Sequence, residues 1–213
     1  RDMAKSVELA RGKYCWLFSA DDIMKENALP KILKEVEHGH DIFLCGLTQC
    51  DFYMRSIEEH PVLDAPACAE FELKNDRDRA EYFTKAKTTT AFFGFCGSLI
   101  FNKSRWDEIP IDEEFVGSCW AHVARIFRMI PGGLHIKYLP ESFLYKRGDN
   151  DSFADKGVVN RLWIAVNGFN RLADAFFGRN SMEAYHIRRA VLSEYSLPAL
   201  LYMKMQAHEN RSS

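Results

Sequence analysis

The run Tyr14-Cys15-Trp16-Leu17-Phe18, closed at once by Ser19-Ala20-Asp21-Asp22, constrains the fold more than any other feature of this chain. A short continuous apolar run reads as a strand buried on both faces, and such strands belong to sheets with helices packed against them. Leu29, Ile32, Leu33 and Val36 then recur at helical spacing, with Gly39 closing the helix, and Asp41 to Cys50 reads as a second strand. Strand, acidic loop, helix, strand is the order of an α/β fold.

The rest of the chain extends this pattern. Arg1 to Arg11 reads as a helix ended by Gly12. Asp51 to Asn75 is irregular and contains proline, and Asn75 is placed to cap a helix running to about Ala86. Phe92 to Phe101 is strand-like but broken by Gly94 and Gly97. Cys119 to Ile130 carries Trp120, Val123, Phe127 and Ile130 on one helical stripe, stopped by Gly132-Gly133. Ile136 to Leu139 and Phe143 to Lys146 read as short strands, followed by a polar loop over Arg147 to Ser152. From Val158 onward the pattern is helical, with a break at Pro198.

Composition bounds the function. Of 213 residues 47% are hydrophobic and 27% charged, which suits a globular protein with a real core. The formal net charge of −2 supplies no field to attract nucleic acid. Six cysteines occur without a C-x-x-C pair or zinc-finger spacing, so reduced thiols are expected rather than disulfides or a zinc site. Reduced thiols suit a cytoplasmic protein; no apolar stretch is long enough to span a bilayer and no signal peptide is visible. The opening on a charged helix without methionine leads us to expect that the chain starts inside a longer protein.

Three constellations could carry chemistry. In the first, Asp21 and Asp22 stand at the carboxyl end of a strand, where open α/β sheets bind ligands. Hard oxygen ligands there suit Mg²⁺ or Mn²⁺, which bind through one or two carboxylates plus substrate phosphates. The alternative is that both residues only cap the following helix. The second is Phe115 to Arg125. Here Trp120 could stack on a sugar or belong to the core. His122 is a candidate general base, because its ordinary pKa suits proton transfer near neutrality. Asp112, Glu113 and Glu114 are rival bases, or a solvated loop. The third is Tyr145 to Phe153, where Arg147, Gly148 and Asn150 could wrap a phosphate through forked hydrogen bonds or form an ordinary turn.

These segments resemble glycosyltransferase family 2, within it the abequosyltransferase-like branch. Gly12-Lys13-Tyr14, the apolar strand and Ser-Ala-Asp-Asp are similar to the pattern around that family's aspartate-x-aspartate motif. Asp21 falls on the second aspartate, the metal ligand, followed by Asp22, while Ser19 replaces the first. Trp120 and Arg125 match an acceptor-site segment in which a Glu-Asp pair precedes the Trp. Ser118 and Cys119 hold the acidic positions, so the base aspartate is missing. Arg147 to Phe153 resembles the branch's Arg-Gly-Asn-Asp-Ser-Phe loop. The likeness covers roughly residues 1 to 165.

The resemblance implies a GT-A type, Rossmann-like mixed sheet flanked by helices over residues 1–157, with a C-terminal helical extension over 158–213. It also implies a nucleotide-sugar donor, a divalent metal, inverting transfer, and a saccharide acceptor, lipid-linked in some members, in cell-surface polysaccharide synthesis. Ser19, Asp22, Trp120, Arg125, Arg147 and Asn150 are then the expected substrate contacts, and Asp21 and Asp22 the metal ligands. The nucleotide-binding βαβ region that precedes the motif in the family is not legible here. Two other readings stay open. One is a non-catalytic nucleotide-sugar or carbohydrate-binding domain, which Cys119 favours, and the other a nucleotidyltransferase-like enzyme, which Trp120, Arg125 and the Arg147 loop disfavour. The helices over Val158 to Gln206 set Arg179, Arg188, Arg189 and Lys204 beside Ile187, Val191, Leu192, Leu197, Leu200, Leu201 and Met205. That arrangement suits either peripheral docking on the inner face of a membrane or packing on the catalytic region or a second subunit.

Overall fold

The computed structural model describes residues 2–148, 150, 157–194 and 201. The sequence expectations for Asp151, Ser152, Phe153, Leu197, Pro198, Leu200, Lys204 and Met205 lie outside them.

The centre of the molecule is β3 (Ile42–Cys50), whose period-two side chains serve two cores. Ile42 and Leu44 enter the larger core, with Phe71, Tyr82, Phe93, Phe127 and Ile187. Phe43, Cys45 and Leu47 enter the smaller one, with Ile32, Leu139 and Phe143. Each of these five β3 residues is at most 1% exposed. Helix α2 (Ala28–Glu35) covers the smaller core through Ala28 and Ile32. Helices α3 (Asp76–Lys85), α5 (Ala121–Phe127), α6 (Gly157–Phe177) and α7 (Met182–Glu194) supply the larger core. The remaining helices are α1 (Asp2–Leu9) and α4 (Lys103–Asp107).

The sheet runs β1 (Tyr14–Trp16), β6 (Leu99–Asn102), β3, β7 (His135–Lys146), β2 (Ile23–Met24). Only β3 and β7 pair in parallel among these neighbours; the other pairs are antiparallel. β4 (Ser56–Glu59) adds to β3 and β5 (Ala69–Glu72) to β7. This mixed sheet, flanked by helices on both faces, is the GT-A type architecture.

Several sequence expectations need correction. Tyr14 to Phe18 is not covered on both faces: β1 ends the strand order, so only Cys15 in that run is buried. Phe92 to Phe101 yields a strand only from Leu99, because two 3₁₀ turns, Thr89–Phe92 and Cys96–Ser98, occupy the glycine-broken part. The two short strands around Pro140 are one bent strand, with register shifts against β3 at Gly46 where the bend is absorbed. The irregular segment hides β4, which is exposed throughout, and β5, whose alternation Ala69-Glu70-Phe71-Glu72 spans only four residues, although Phe71 is buried. Asn75 does cap α3, accepting from the backbone N–H groups of Arg77 and Asp78. The six cysteines are free: Cys15, Cys45 and Cys50 are buried, Cys96 and Cys119 half-buried, and Cys68 exposed.

The C-terminal helices share the larger core. Ile187 and Val191 are buried in it with Phe169, Leu172 and Ala184. Arg188 reaches Asp174 and the carbonyl of Arg179, and Arg189 donates to the carbonyls of Thr84 and Ala86 at the end of α3. The apolar face of α7 therefore packs inward and two of its arginines serve that packing, while Leu192 and Leu201 are exposed. No helix among the described residues is long and apolar enough to cross a membrane.

Candidate active site

The acidic turn is fixed by pairing, not by capping. Asn27, in left-handed conformation, precedes α2, so Asp21 and Asp22 are five or more residues too early to cap it. Instead β2 pairs with the end of β7, Ile23 opposite Tyr145 and Met24 opposite Leu144. That register sets Asp22 beside the strand exit, where its Oδ1 accepts from the backbone N–H of Arg147 at 2.9 Å. The Arg147 guanidinium turns back across the acidic turn. Its Nε donates to the Asp21 carbonyl at 3.2 Å and its Nη1 to the Phe52 carbonyl. Asn150 and Ser19 both donate to the Asp21 carboxylate. Gly148 allows this closure, because a Cβ there would lie 2.5 Å from the Cys50 carbonyl oxygen. Thus Ser19, Asp21, Asp22, Arg147 and Asn150, up to 131 positions apart in sequence, form one cluster.

The two carboxylates sit in different surroundings. Asp21 is exposed, and its hydrogen bond from Ser19 holds it below the usual carboxylate range. Asp22 is half-buried, and burial pushes it up against the opposing backbone hydrogen bond from Arg147. Its Oδ2 is buried without a partner, an arrangement that costs free energy unless a cation or proton meets it.

Ser19 is on the rim of a cleft of about 1040 Å³ that extends past Phe95, Lys146 and His60 to Cys119, Trp120, His122 and Glu194. Trp120 is half-buried. Its indole donates to the Ile164 carbonyl at 3.0 Å, and its ring lies 4.6 Å from that of Phe169. It crosses α6 where Gly168 leaves room: a Cβ there would meet Trp120 Nε1 at 2.0 Å. His122 also lines the cleft but is only 6% exposed. Its position off the apolar stripe suggested a histidine outside the core. Burial follows because α5 is covered on more than one side, with Val123, Ala124, Ile126 and Phe127 buried as well. Its Nε2 is 2.9 Å from the Phe93 carbonyl. A carbonyl only accepts, so Nε2 carries the ring proton. Burial lowers the His122 pKa to about 4, which makes the ring a weak proton acceptor.

Arg125 and the acidic trio stand elsewhere. Arg125 lies over the Trp106 ring at 4.6 Å and does not line the cleft. Asp112 is buried, pairs with Arg128 at 2.7 Å and caps the turn at Glu114. Glu114 pairs with Arg171 at 3.5 Å. Asp112 and Glu114 face a separate depression of about 760 Å³, and Glu113 is exposed on the same turn. The Cys119 thiol is in the cleft, but burial pushes it up, so it is neutral there.

Sequence reasoning missed Lys146, Glu194 and Gly168. Lys146 was legible in part, as a charge closing an otherwise apolar strand. Gly168 carried no signal beyond being a glycine inside a helix, and Glu194 looked like an ordinary polar helix residue.

No family model matches the chain. A curated relative, the abequosyltransferase RfbV of Salmonella typhimurium, is 31% identical over 193 residues, 84% of this chain and 55% of the relative. This chain is similar to that abequosyltransferase. It spans about half the length of the curated relative that it matches. Among solved structures, S. aureus TarS 1–349 superposes with a TM-score of 0.53 at 12% identity, covering 91% of this chain and 50% of TarS. Its complex with UDP-GlcNAc gives 0.51 at 13% identity, covering 91% and 52%. These likenesses establish the shared glycosyltransferase fold of GT-A type. The abequosyltransferase relative matches the branch expected from the acidic turn, the Trp120 segment and the Arg147 loop.

Proposed function

We propose that the protein transfers a sugar from a nucleotide-sugar donor to a saccharide acceptor in polysaccharide synthesis, with inversion and with Mg²⁺ or Mn²⁺. The observation that carries this reading is the junction of the acidic turn, whose Ser19 lines the cleft that reaches Trp120, with the Arg147 loop. One end is suited to a diphosphate and a cation, the other to a sugar ring. The relative is an abequosyltransferase and the TarS structure holds UDP-GlcNAc. The reading adds a cytoplasmic setting, with the acceptor free or lipid-linked at the inner membrane face.

The residues fit a divalent cation of hard type. Asp21 stays ionised and exposed, and the unpartnered Asp22 Oδ2 is a second oxygen in the same turn. No group of three or more His, Cys, Asp or Glu suited to a metal occurs among the described residues. Two carboxylates with donor phosphates are the ligand set that Mg²⁺ and Mn²⁺ accept. When bound, the cation would act as a Lewis acid that stabilises the leaving diphosphate. Arg147 orients the donor phosphates while its backbone N–H holds Asp22 in place. Trp120, with its indole N–H tied to Ile164, presents a fixed ring at the acceptor end.

A second reading, a non-catalytic nucleotide-sugar or carbohydrate-binding domain, is favoured by the neutral Cys119 at the position where a base is expected. The intact protein incubated with Mn²⁺, an acceptor extract and a panel of nucleotide sugars distinguishes them. Acceptor-dependent release of nucleoside diphosphate is the expected result. Binding of a nucleotide sugar without turnover supports the second reading, and neither binding nor turnover refutes both.

A further inference from the structure

The cleft contains a carboxylate that the donor-side chemistry does not use. Glu194, at the end of α7, is half-buried and faces the cavity that Cys119 and Trp120 line. Its Oε1 accepts from the Thr89 backbone N–H at 2.7 Å, and Thr89 Oγ1 is 2.9 Å from each carboxylate oxygen. Thr89 opens the 3₁₀ turn that runs into Phe92, so the glutamate is fixed to a structured segment. Lys146 on β7 and Arg161 on α6 are the charges that bear on it. The half-buried Lys146 ammonium lies 4.8 Å over the Phe95 ring and also feels Asp22.

The other candidates for proton transfer are less suited. Asp112 and Glu114 are paired and face another depression, His122 is a weak acceptor, and Cys119 is neutral. Glu58, the other carboxylate among the described cleft residues, lies on β4, where every residue is exposed. His60, which also lines the cleft, is 3.1 Å from Thr90 Oγ1 and is held down at about 4 by burial.

We propose that Glu194 is the general base that deprotonates the acceptor hydroxyl, taking over the work expected of a carboxylate at the Cys119 position. This rests on the sugar-transfer reading above. The acceptor O–H proton passes to a Glu194 carboxylate oxygen, and the acceptor oxygen forms its bond to the anomeric carbon. The bond from that carbon to the phosphate oxygen breaks, and its electron pair leaves on the nucleoside diphosphate. The proton on Glu194 returns to water after product release. Burial raises the Glu194 pKa above the ordinary carboxylate value, the direction that strengthens a carboxylate as a proton acceptor. The Thr89 hydrogen bonds, then Lys146 and Arg161, oppose that rise. Thr89 is a positioning residue.

The test compares Glu194→Gln and Glu194→Asp with the unaltered intact protein. Three quantities are followed: acceptor-dependent diphosphate release, its pH profile, and Mn²⁺-dependent binding of each nucleoside diphosphate from a panel. Glu194→Gln should lower kcat by about 10²–10⁴-fold and abolish the acid limb of the pH profile, with nucleoside diphosphate Kd unchanged. Glu194→Asp should keep the acid limb at a reduced rate. A Gln variant within about tenfold of the unaltered rate overturns the assignment. So does a Gln variant that folds but loses diphosphate binding as severely as turnover, since that marks a structural role through Thr89. If Glu194→Gln fails to fold, the Asp variant decides: an acid limb unmoved in position and an undiminished rate refute the base. No turnover by the unaltered protein with any donor overturns the sugar-transfer reading itself, and the base with it.

Discussion

Replacing Gly168 by alanine should destabilise the protein, although the same change in an open helix would stabilise it. In a helix interior alanine is favoured over glycine by about 0.8–1.0 kcal/mol. Here the new methyl would stand 2.0 Å from Trp120 Nε1 and 2.1 Å from its Cδ1, well inside contact distance. Trp120 must move, losing its hydrogen bond to the Ile164 carbonyl and its packing on Phe169. Overpacking of this kind costs about 1–3 kcal/mol and the hydrogen bond about 1 kcal/mol more. Set against the helix gain, the net loss is about 1–3 kcal/mol. For a chain of this size that is a fall in Tm of roughly 2–12 °C. Differential scanning calorimetry of the single variant gives the sign directly. The paired measurement uses Trp120→Ala as background. With the indole gone, Gly168→Ala should raise Tm, because only the helix preference remains. A rise in Tm for Gly168→Ala alone would refute the packing of Trp120 across α6, and with it the fixed acceptor-end ring.

Asp21→Asn should abolish Mn²⁺-dependent binding of the donor while leaving Tm within a few degrees, because Asp21 is exposed; unchanged calorimetric binding would refute its role as ligand. Arg147→Lys should weaken donor binding by about tenfold or more. Lysine cannot reach the Asp21 and Phe52 carbonyls together or fork to a phosphate, and hydrogen bonds to charged groups are worth about 1.5–3 kcal/mol; an unchanged Kd counts against the loop as donor site. Stability should fall between pH 6.5 and 4 through His122. Its folded value of about 4 lies below the ordinary 6.5, so the unfolded chain binds the proton first as pH drops. The loss is roughly 3 kcal/mol at about 1.4 kcal/mol per pH unit. His60 acts in the same direction, whereas Asp22 and Glu194, whose values are raised, act against it as their carboxylates protonate. Urea unfolding of a folded His122→Gln variant should show a shallower decline over that range; an equal slope would refute the buried neutral imidazole.

Local chemistry was legible wherever a residue acts on its own neighbours. Asn75 caps α3 because its side chain reaches the two N–H groups that follow. Asp41 to Cys50 read as a strand, and it is the centre of the sheet, with Ile42 to Leu47 almost wholly buried. The acidic pair and the Arg147 loop each announced a polar, ligand-ready turn. What the sequence could not contain was which distant segment meets which. Only the pairing of β2 with the end of β7 brings Asp22 to the backbone of Arg147, and the same pairing takes both aspartates away from the capping role that spacing alone allowed. His122 had a helical position but no burial until other elements covered α5. Glu194 had no signal at all, since its surroundings come from Thr89, Lys146 and Arg161 on three other segments. Side-chain type and periodicity are properties of a few consecutive residues, so one sequence holds them. Burial, charge environment and the shape of a cleft are sums over atoms contributed by the whole chain, and only its closure into the two-faced sheet assigns them.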